Sequence, residues 1–152
     1  MILQFVCIGL IAAGGLLLPG SVPGVDRGAV RLAGDVVLVA GLLVIGWAVG
    51  ALRRARSFTA FPRPLAEGAL VESGPYGFVR HPVYSGLILT GLGATVSQES
   101  VATGLATVAL AVVLDLKRRR EELWLVERFP GYAAYRTRTR ALIPVPLLRG
   151  PH

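Results

Sequence analysis

The chain is poor in sulfur, in acid and in charge of any kind. One cysteine, Cys7, rules out an internal disulfide framework. It lies in an apolar run and reads as a buried, inert thiol. Charged residues make up 16% of the chain against 53% hydrophobic ones, and mean hydropathy is +0.62. That is too apolar for an ordinary soluble domain and points to a membrane protein. The first apolar segment has no basic stretch ahead of it and no A-x-A-type site behind it, so it is expected to stay as a helix and not to be removed as a signal peptide. Internal repeats and low-complexity tracts are absent. No metal site is expected.

Base is plentiful. Sixteen Lys and Arg stand against nine Asp and Glu, for a net charge of +7. Nucleic-acid binding is the generic reading of such a balance. Here the basic residues flank apolar segments, so anionic lipid headgroups are the better counter-charge and no nucleic acid is expected. Four apolar segments stand out, at about residues 2–18, 36–52, 83–96 and 101–116. A spanning helix needs about 20 apolar residues; the first two segments approach that, and the second can borrow turns from residues 30–34. The last two are shorter. They are parted only by Ser97, Gln98, Glu99 and Ser100, which predicts a tight helical hairpin. Frequent glycines (Gly41, Gly46, Gly91, Gly93, Gly104) permit close helix packing in lipid.

The expected fold is therefore all-α: a polytopic membrane bundle of about four transmembrane helices, with a short C-terminal helical hairpin and cytoplasmic interfacial helices. It forms one domain over residues 1–152, with N-terminal transmembrane helices in 1–52. Arg53, Arg54, Arg56 and Arg63 follow the second segment, and Lys117 to Arg120 follow the fourth, whereas the hairpin tip carries no Lys or Arg. The positive-inside rule then puts both termini and the 53–81 loop in the cytoplasm. Pro62, Pro64, Gly68, Gly74 and Pro75 predict irregular turns in that loop. Residues 117–129 read as an amphipathic helix able to lie along the interface. Pro130–Gly131 breaks it, a second helix is expected over 132–140, and regular structure ends at Ile143-Pro144-Val145-Pro146.

The most informative stretch is GPYGFVRHPVYSG, residues 74–86. It sets Arg80, His81 and Tyr84 at the mouth of an apolar segment, where ionisable groups are costly and so are functional candidates. Pro82 suits the first turn of a helix, which would place His81 at the helix entry. Arg80 and Tyr84, four apart, would share a face. With an apolar hairpin, then Glu121-Glu122, then basic and aromatic residues ending in Leu-Ile-Pro, this order resembles the isoprenylcysteine carboxyl methyltransferase and phospholipid methyltransferase group of integral-membrane enzymes. The resemblance covers about residues 58–146, within a family-like region of 53–146. It departs from the family pattern where Pro130 stands in place of a glycine, ahead of Tyr132 and Tyr135.

The resemblance implies S-adenosylmethionine as methyl donor, with S-adenosylhomocysteine as product. It implies a cofactor site from Arg80, His81, Pro82, Tyr84, Gly86, Glu121 and Glu122, with Arg80, Glu121 and Glu122 also catalytic. The residue types suit that ligand. Arg80, His81 or free N–H groups at a helix start can meet a carboxylate; Glu121 or Glu122 can accept from an ammonium or ribose hydroxyls. Methyl transfer needs mainly alignment and exclusion of water. A soluble methyltransferase would carry a Gly-rich turn between a strand and a helix, whereas the lone Gly91-Leu92-Gly93 lies inside an apolar segment and reads as packing. Membrane lipids and a lipophilic small-molecule or lipid substrate are the expected partners, with a bacterial plasma membrane as the location. Two other readings remain: a non-catalytic membrane subunit helping assembly or transport, and a small transporter component, for which the hairpin has too few paired charges. Each site residue also has a plainer role. Arg80 and Arg118 to Arg120 can be anchors, His81 and Tyr84 interfacial groups, and Glu121 or Glu122 partners of Lys117 or Arg118 one turn back.

Overall fold

A computed structural model describes residues 2–17, 27–55 and 70–143. Within them lie five helices: α1 (Ile2–Leu17), α2 (Arg27–Arg54), α3 (Pro82–Gln98), α4 (Val101–Arg128) and α5 (Tyr132–Arg138), with a 3-10 turn at Gly74–Gly77. The described residues contain no strand, only one isolated bridge between Val79 and Arg140, so the all-α expectation holds. The turns expected at Pro62, Pro64 and Gly68, and the stop at Pro144 and Pro146, fall outside the described residues. Helix α2 alone among the described helices is both long and apolar enough to cross a membrane, at 28 residues and a mean hydropathy of 2.2 over its most apolar stretch.

The chain divides into two units, Met1–Leu43 with Gly86–Lys117, and Val44–Ser85 with Arg118–His152. In the first unit the helices run up-down-up-down, and small residues make the contacts. A Cβ on Gly34 of α2 would overlap the backbone of Ser97 on α3, one on Gly93 would overlap Leu38, and one on Gly41 would overlap Thr90. The spacings 34, 38, 41 and 86, 90, 93, 97 are each one helical stripe, so the two antiparallel helices meet backbone to backbone. Carbonyl oxygens lie in the seam: that of Gly93 would be 2.8 Å from a Cβ on Gly34. In α3 against α4, Gly91 faces Thr107, and the Thr95 and Thr107 hydroxyls are 3.3 Å apart. Helix α1 lies antiparallel to α4, with Lys117 donating to Gln4 at 3.2 Å near one end and Ser100 to the Gly14 carbonyl at 3.4 Å near the other.

This unit reverses the pattern of a soluble bundle. Its inside holds Thr103, Thr107 and Ser100, all almost fully buried, while Phe5, Leu32, Leu43, Leu105 and Val108 face outward. The hydroxyls are satisfied locally: Thr107 donates to the Thr103 carbonyl at 2.8 Å and Thr103 to Gln98 Oε1 at 2.7 Å. Small and hydroxyl-bearing residues inside with bulky apolar ones outside suits helices whose solvent is lipid. Cys7 is buried as expected. Glu99, with φ of 49°, makes the left-handed turn that reverses the chain between α3 and α4.

The second unit begins at the end of α2, where Trp47 packs under Gly74 and against Phe78, with ring centroids 6.3 Å apart. Gly74 has φ of 62°, a conformation glycine adopts without penalty, and a Cβ there would sit 3.5 Å from the indole nitrogen. Two expectations are corrected in this unit. Residues 117–129 do not form a separate interfacial helix; α4 runs unbroken from Val101 to Arg128, because no helix breaker occurs before Pro130. Nor do Arg80 and Tyr84 share a helical face. Helix α3 starts at Pro82, and Arg80 precedes it on the strand-like segment bridged at Val79, as residues ahead of a Pro-initiated helix favour.

The α2–α3 seam predicts opposite outcomes for two glycine substitutions. Gly93→Leu should destabilise the detergent-solubilised protein by about 1–3 kcal/mol or more, the cost of overpacking. Gly9→Ala, with nothing within 4 Å of its Cβ, should be neutral or stabilising by up to about 1 kcal/mol through helix propensity. Thermal unfolding followed by circular dichroism reads both, and indistinguishable midpoints would mean that the seam is not close-packed.

Candidate functional site

Pro82 occupies the first turn of α3 and is fully buried. The His81 carbonyl accepts from the N–H groups of Tyr84 and Ser85 at 3.0 and 3.1 Å, opening the helix. His81 therefore stands at the helix entry and Tyr84 is almost one turn on. Their rings stack, with centroids 5.4 Å apart and planes 8° from parallel.

Glu121 and Glu122 reach these rings from α4. Successive helix residues point about 100° apart, and this divergence lets the two carboxylates bracket one imidazole. Glu122 Oε1 is 3.2 Å from His81 Nε2, and Glu121 Oε2 is 3.8 Å from Nδ1. The Tyr84 hydroxyl lies 2.7 Å from both oxygens of Glu121. Arg80 Nε donates to Glu122 Oε1 at 3.0 Å, with both side chains more than nine-tenths buried. Arg118 lies one turn back at 3.8 Å and Arg136 approaches the other oxygen at 3.5 Å. One carboxylate thus meets three guanidinium groups and an imidazole.

Burial alone would raise the Glu122 carboxyl, but hydrogen bonds from His81 and Arg80, together with their charges, hold it down at about 2. Burial pushes the Tyr135 hydroxyl up to about 12. It moves Tyr76 and Tyr132 in the same direction, aided at Tyr76 by the charges of Tyr135 and Glu121 and at Tyr132 by that of Glu122.

The tail completes the arrangement. Backbone N–H groups of Arg80 and His81 donate to the carbonyls of Arg140 and Ala141 at 2.8 and 3.0 Å. Arg80 Nη1 donates to the Arg136 carbonyl at 3.2 Å and to that of Thr139. Ser85 donates to the Leu142 carbonyl at 2.5 Å, and Tyr135 Oη to the Tyr76 carbonyl at 2.6 Å. The residues after α5 are thus stitched to the Arg-His-Pro segment itself and do more than cover it.

Of the seven residues singled out from sequence, the structure gathers Arg80, His81, Pro82, Tyr84, Glu121 and Glu122. Gly86 stands apart from this group: its carbonyl accepts from Thr90 at 2.9 Å and lies in the seam with Gly41. Sequence reasoning missed Arg136, Thr139, Ser85 and Tyr76 as partners. Arg118, read both as an anchor and as a partner of Glu122 one turn on, does lie against Glu122. Tyr132 and Tyr135, 1% and 2% exposed, pack edge to face beside the cluster. Among the described residues, no group of three or more His, Cys, Asp or Glu side chains is placed to hold a metal ion.

A family model described as phospholipid methyltransferase matches residues 30–131, which includes every one of the seven. Two curated proteins are similar in sequence. The cobalt-zinc-cadmium resistance protein CzcN of Cupriavidus metallidurans is 40% identical over 83 residues, covering 53% of this chain and 38% of that protein. The nickel-cobalt-cadmium resistance protein NccN of Alcaligenes xylosoxydans xylosoxydans is 36% identical over 77 residues, covering 49% of this chain and 36% of that one. The matching segments thus span little more than a third of either relative.

The ion cluster should show itself in acid. Glu122 has an ordinary value of 4.5 and sits at about 2 when folded, so its contribution is full above the ordinary value and is lost as pH falls toward the folded one. Glu122→Gln should lower stability at neutral pH by about 3 kcal/mol, as removal of one partner of a buried pair does. The difference from wild type, read as unfolding midpoint in detergent, should shrink between pH 4.5 and 2. A difference that stays constant with pH would detach the stabilisation from the Glu122 charge.

Proposed function

The chain belongs to the phospholipid methyltransferase family, a family of membrane-associated methyltransferases, and on that premise we propose that it catalyses transfer of a methyl group from S-adenosylmethionine to a lipophilic acceptor at the cytoplasmic membrane surface. The acceptor group would be a carboxylate, an amine or a thiol. The observation that carries this reading is the buried constellation of Arg80, His81, Tyr84, Glu121 and Glu122, in which family residues from two helices meet.

The residues fit the cofactor on two counts. Arg136, with its side chain 48% exposed, offers a guanidinium suited to an amino-acid carboxylate. Glu121, 19% exposed at its side chain, retains acceptor capacity for an ammonium or hydroxyl. Bound there, the cofactor would supply an electrophilic sulfonium methyl. Arg80 and His81 would act by position: Arg80 holds Glu122 and two tail carbonyls, and His81 holds the two glutamates apart. The tail from α5 onward would keep water from the reacting groups, which strengthens the electrostatic contacts.

A second reading, a non-catalytic membrane subunit of the same fold, is favoured by the resistance proteins among the relatives and by the internal use of the Arg80 donors. Calorimetric titration of the detergent-purified protein with S-adenosylhomocysteine separates the two. Saturable binding is expected. A chain ending after Phe129, which keeps both glutamates but loses the carbonyl partners of Arg80 and His81, should still insert in the membrane yet bind at least about tenfold more weakly, ~1.4 kcal/mol. No binding by the intact protein would favour the non-catalytic reading.

The proposed topology has four crossings with both termini cytoplasmic, supported by the basic residues that follow α2 and the apolar part of α4. Reporter fusions at His152 and Gln98 should then report opposite sides of the membrane. A cytoplasmic signal from Gln98 would remove the four-crossing arrangement.

A further inference from the structure

Nearly every buried polar side chain around Glu122 has a partner inside the protein. Tyr132 is the exception. It is 1% exposed, and its hydroxyl has no hydrogen-bond partner among the described residues. The contrast with Tyr135 is informative: that neighbour is 2% exposed and gives its hydroxyl to the Tyr76 carbonyl at 2.6 Å. Buried hydroxyls are almost always paired, so an unpaired one calls for an explanation, a missing ligand among them.

The surroundings of the hydroxyl say what kind of ligand. Tyr132 and Arg136 are four apart on α5 and share a face of that helix, and Arg136 reaches Glu122 at 3.5 Å, so this face of α5 is turned to the ion cluster. Glu122 is already matched by Arg80 at 3.0 Å, His81 at 3.2 Å, Arg136 at 3.5 Å and Arg118 at 3.8 Å. Further cationic character there is unneeded, and an O–H donor on the same helix face as a half-exposed guanidinium is best met by an anionic acceptor. Burial keeps the phenol protonated, so it is available as a donor. Arg136, at 48% exposure of its side chain, is the most accessible guanidinium of the cluster.

We propose that the Tyr132 hydroxyl, with Arg136 one turn further along α5, is a binding group that donates a hydrogen bond to the amino-acid carboxylate of the methyl donor. This rests on the cofactor reading above. It reassigns the carboxylate contact from Arg80, whose Nε and Nη1 serve Glu122 and the tail, to two residues of α5.

The test uses the intact protein in detergent and its Tyr132→Phe variant, with two ligands: S-adenosylhomocysteine, and 5′-methylthioadenosine, which lacks the amino-acid end. Affinities are read by competition against labelled S-adenosylhomocysteine, and thermal midpoints are read without ligand. Tyr132→Phe loses no internal bond, so its unliganded midpoint should equal or exceed that of wild type. Its affinity for S-adenosylhomocysteine should fall at least about tenfold, as loss of a hydrogen bond to a charged group does, and its affinity for 5′-methylthioadenosine should stay the same. Arg136→Gln, a change at a half-exposed position, should show the same selective loss and serves if the first variant folds poorly. Unchanged S-adenosylhomocysteine affinity, with or without a lowered unliganded midpoint, would make the hydroxyl a structural group bonded to water. Equal losses for both ligands would place the contact elsewhere on the cofactor. Either result overturns the inference while leaving the cofactor reading in place. Failure of wild type to bind S-adenosylhomocysteine would overturn both.

Discussion

The buried pair of Arg80 and Glu122 organises the second unit. A guanidinium so enclosed must have its donors met, and the 3.0 Å bond to Glu122 meets only one of them. The carbonyls of Arg136 and Thr139 meet others, which fixes where the chain after α5 can lie. Once that segment is in place, its Arg140 and Ala141 carbonyls satisfy the N–H groups of Arg80 and His81, and His81 is left able to face both glutamates. Three parts of the chain distant in sequence are joined through one ion pair. Removing one partner of such a pair typically costs about 3–5 kcal/mol, because the other charge stays buried without compensation. The structure carries that risk at the place where the family residues converge, which is where strained or costly polar groups tend to gather.

The first unit is held together by a different kind of force. Its helices meet through Gly34, Gly41 and Gly93, with backbone against backbone, and its inward hydroxyls bond within their own helices or to the neighbouring one. Bulky side chains face outward, an arrangement that costs little wherever the surroundings are hydrocarbon, since burying them between helices would then gain little. Close approach of backbones then supplies the packing. The same small residues that would be a weakness in a water-soluble helix, where glycine costs about 1 kcal/mol relative to alanine, are here the condition for contact.

The similarity to resistance proteins and the membership of a methyltransferase family bear on different levels. Family membership concerns the convergence of motif residues, all seven of which lie within the matched 30–131 stretch. The resistance proteins are matched over 38% and 36% of their own lengths, so what they do as whole proteins rests partly on segments with no counterpart here. Within the matched stretch, the Glu122 carboxylate is met by Arg80 at 3.0 Å and by Arg118 at 3.8 Å.

Local signals in the sequence were enough to determine several features. Pro82 could only open a helix, and α3 begins there. The four residues between the last two apolar runs forced a tight reversal, which occurs at Glu99. The Arg-His-Pro-x-Tyr and Glu-Glu residues announced themselves by being ionisable at an apolar boundary. These features depend on periodicity, on propensity and on the cost of burying charge, all of which act over a few residues. The register of partners was decided only by the tertiary structure. Arg80 could pair with Glu122 rather than share a face with Tyr84 because α3 begins only at Pro82, after it. Helix α4 could continue through Lys117 because nothing short of Pro130 stops it. The acceptors at Arg136, Thr139, Arg140 and Ala141 are backbone carbonyls, which every residue possesses and no side chain advertises. Tyr132 gives no sign in the sequence that its hydroxyl is left without a partner, because hydrogen-bond satisfaction depends on everything that packs around a group and not on the residue itself.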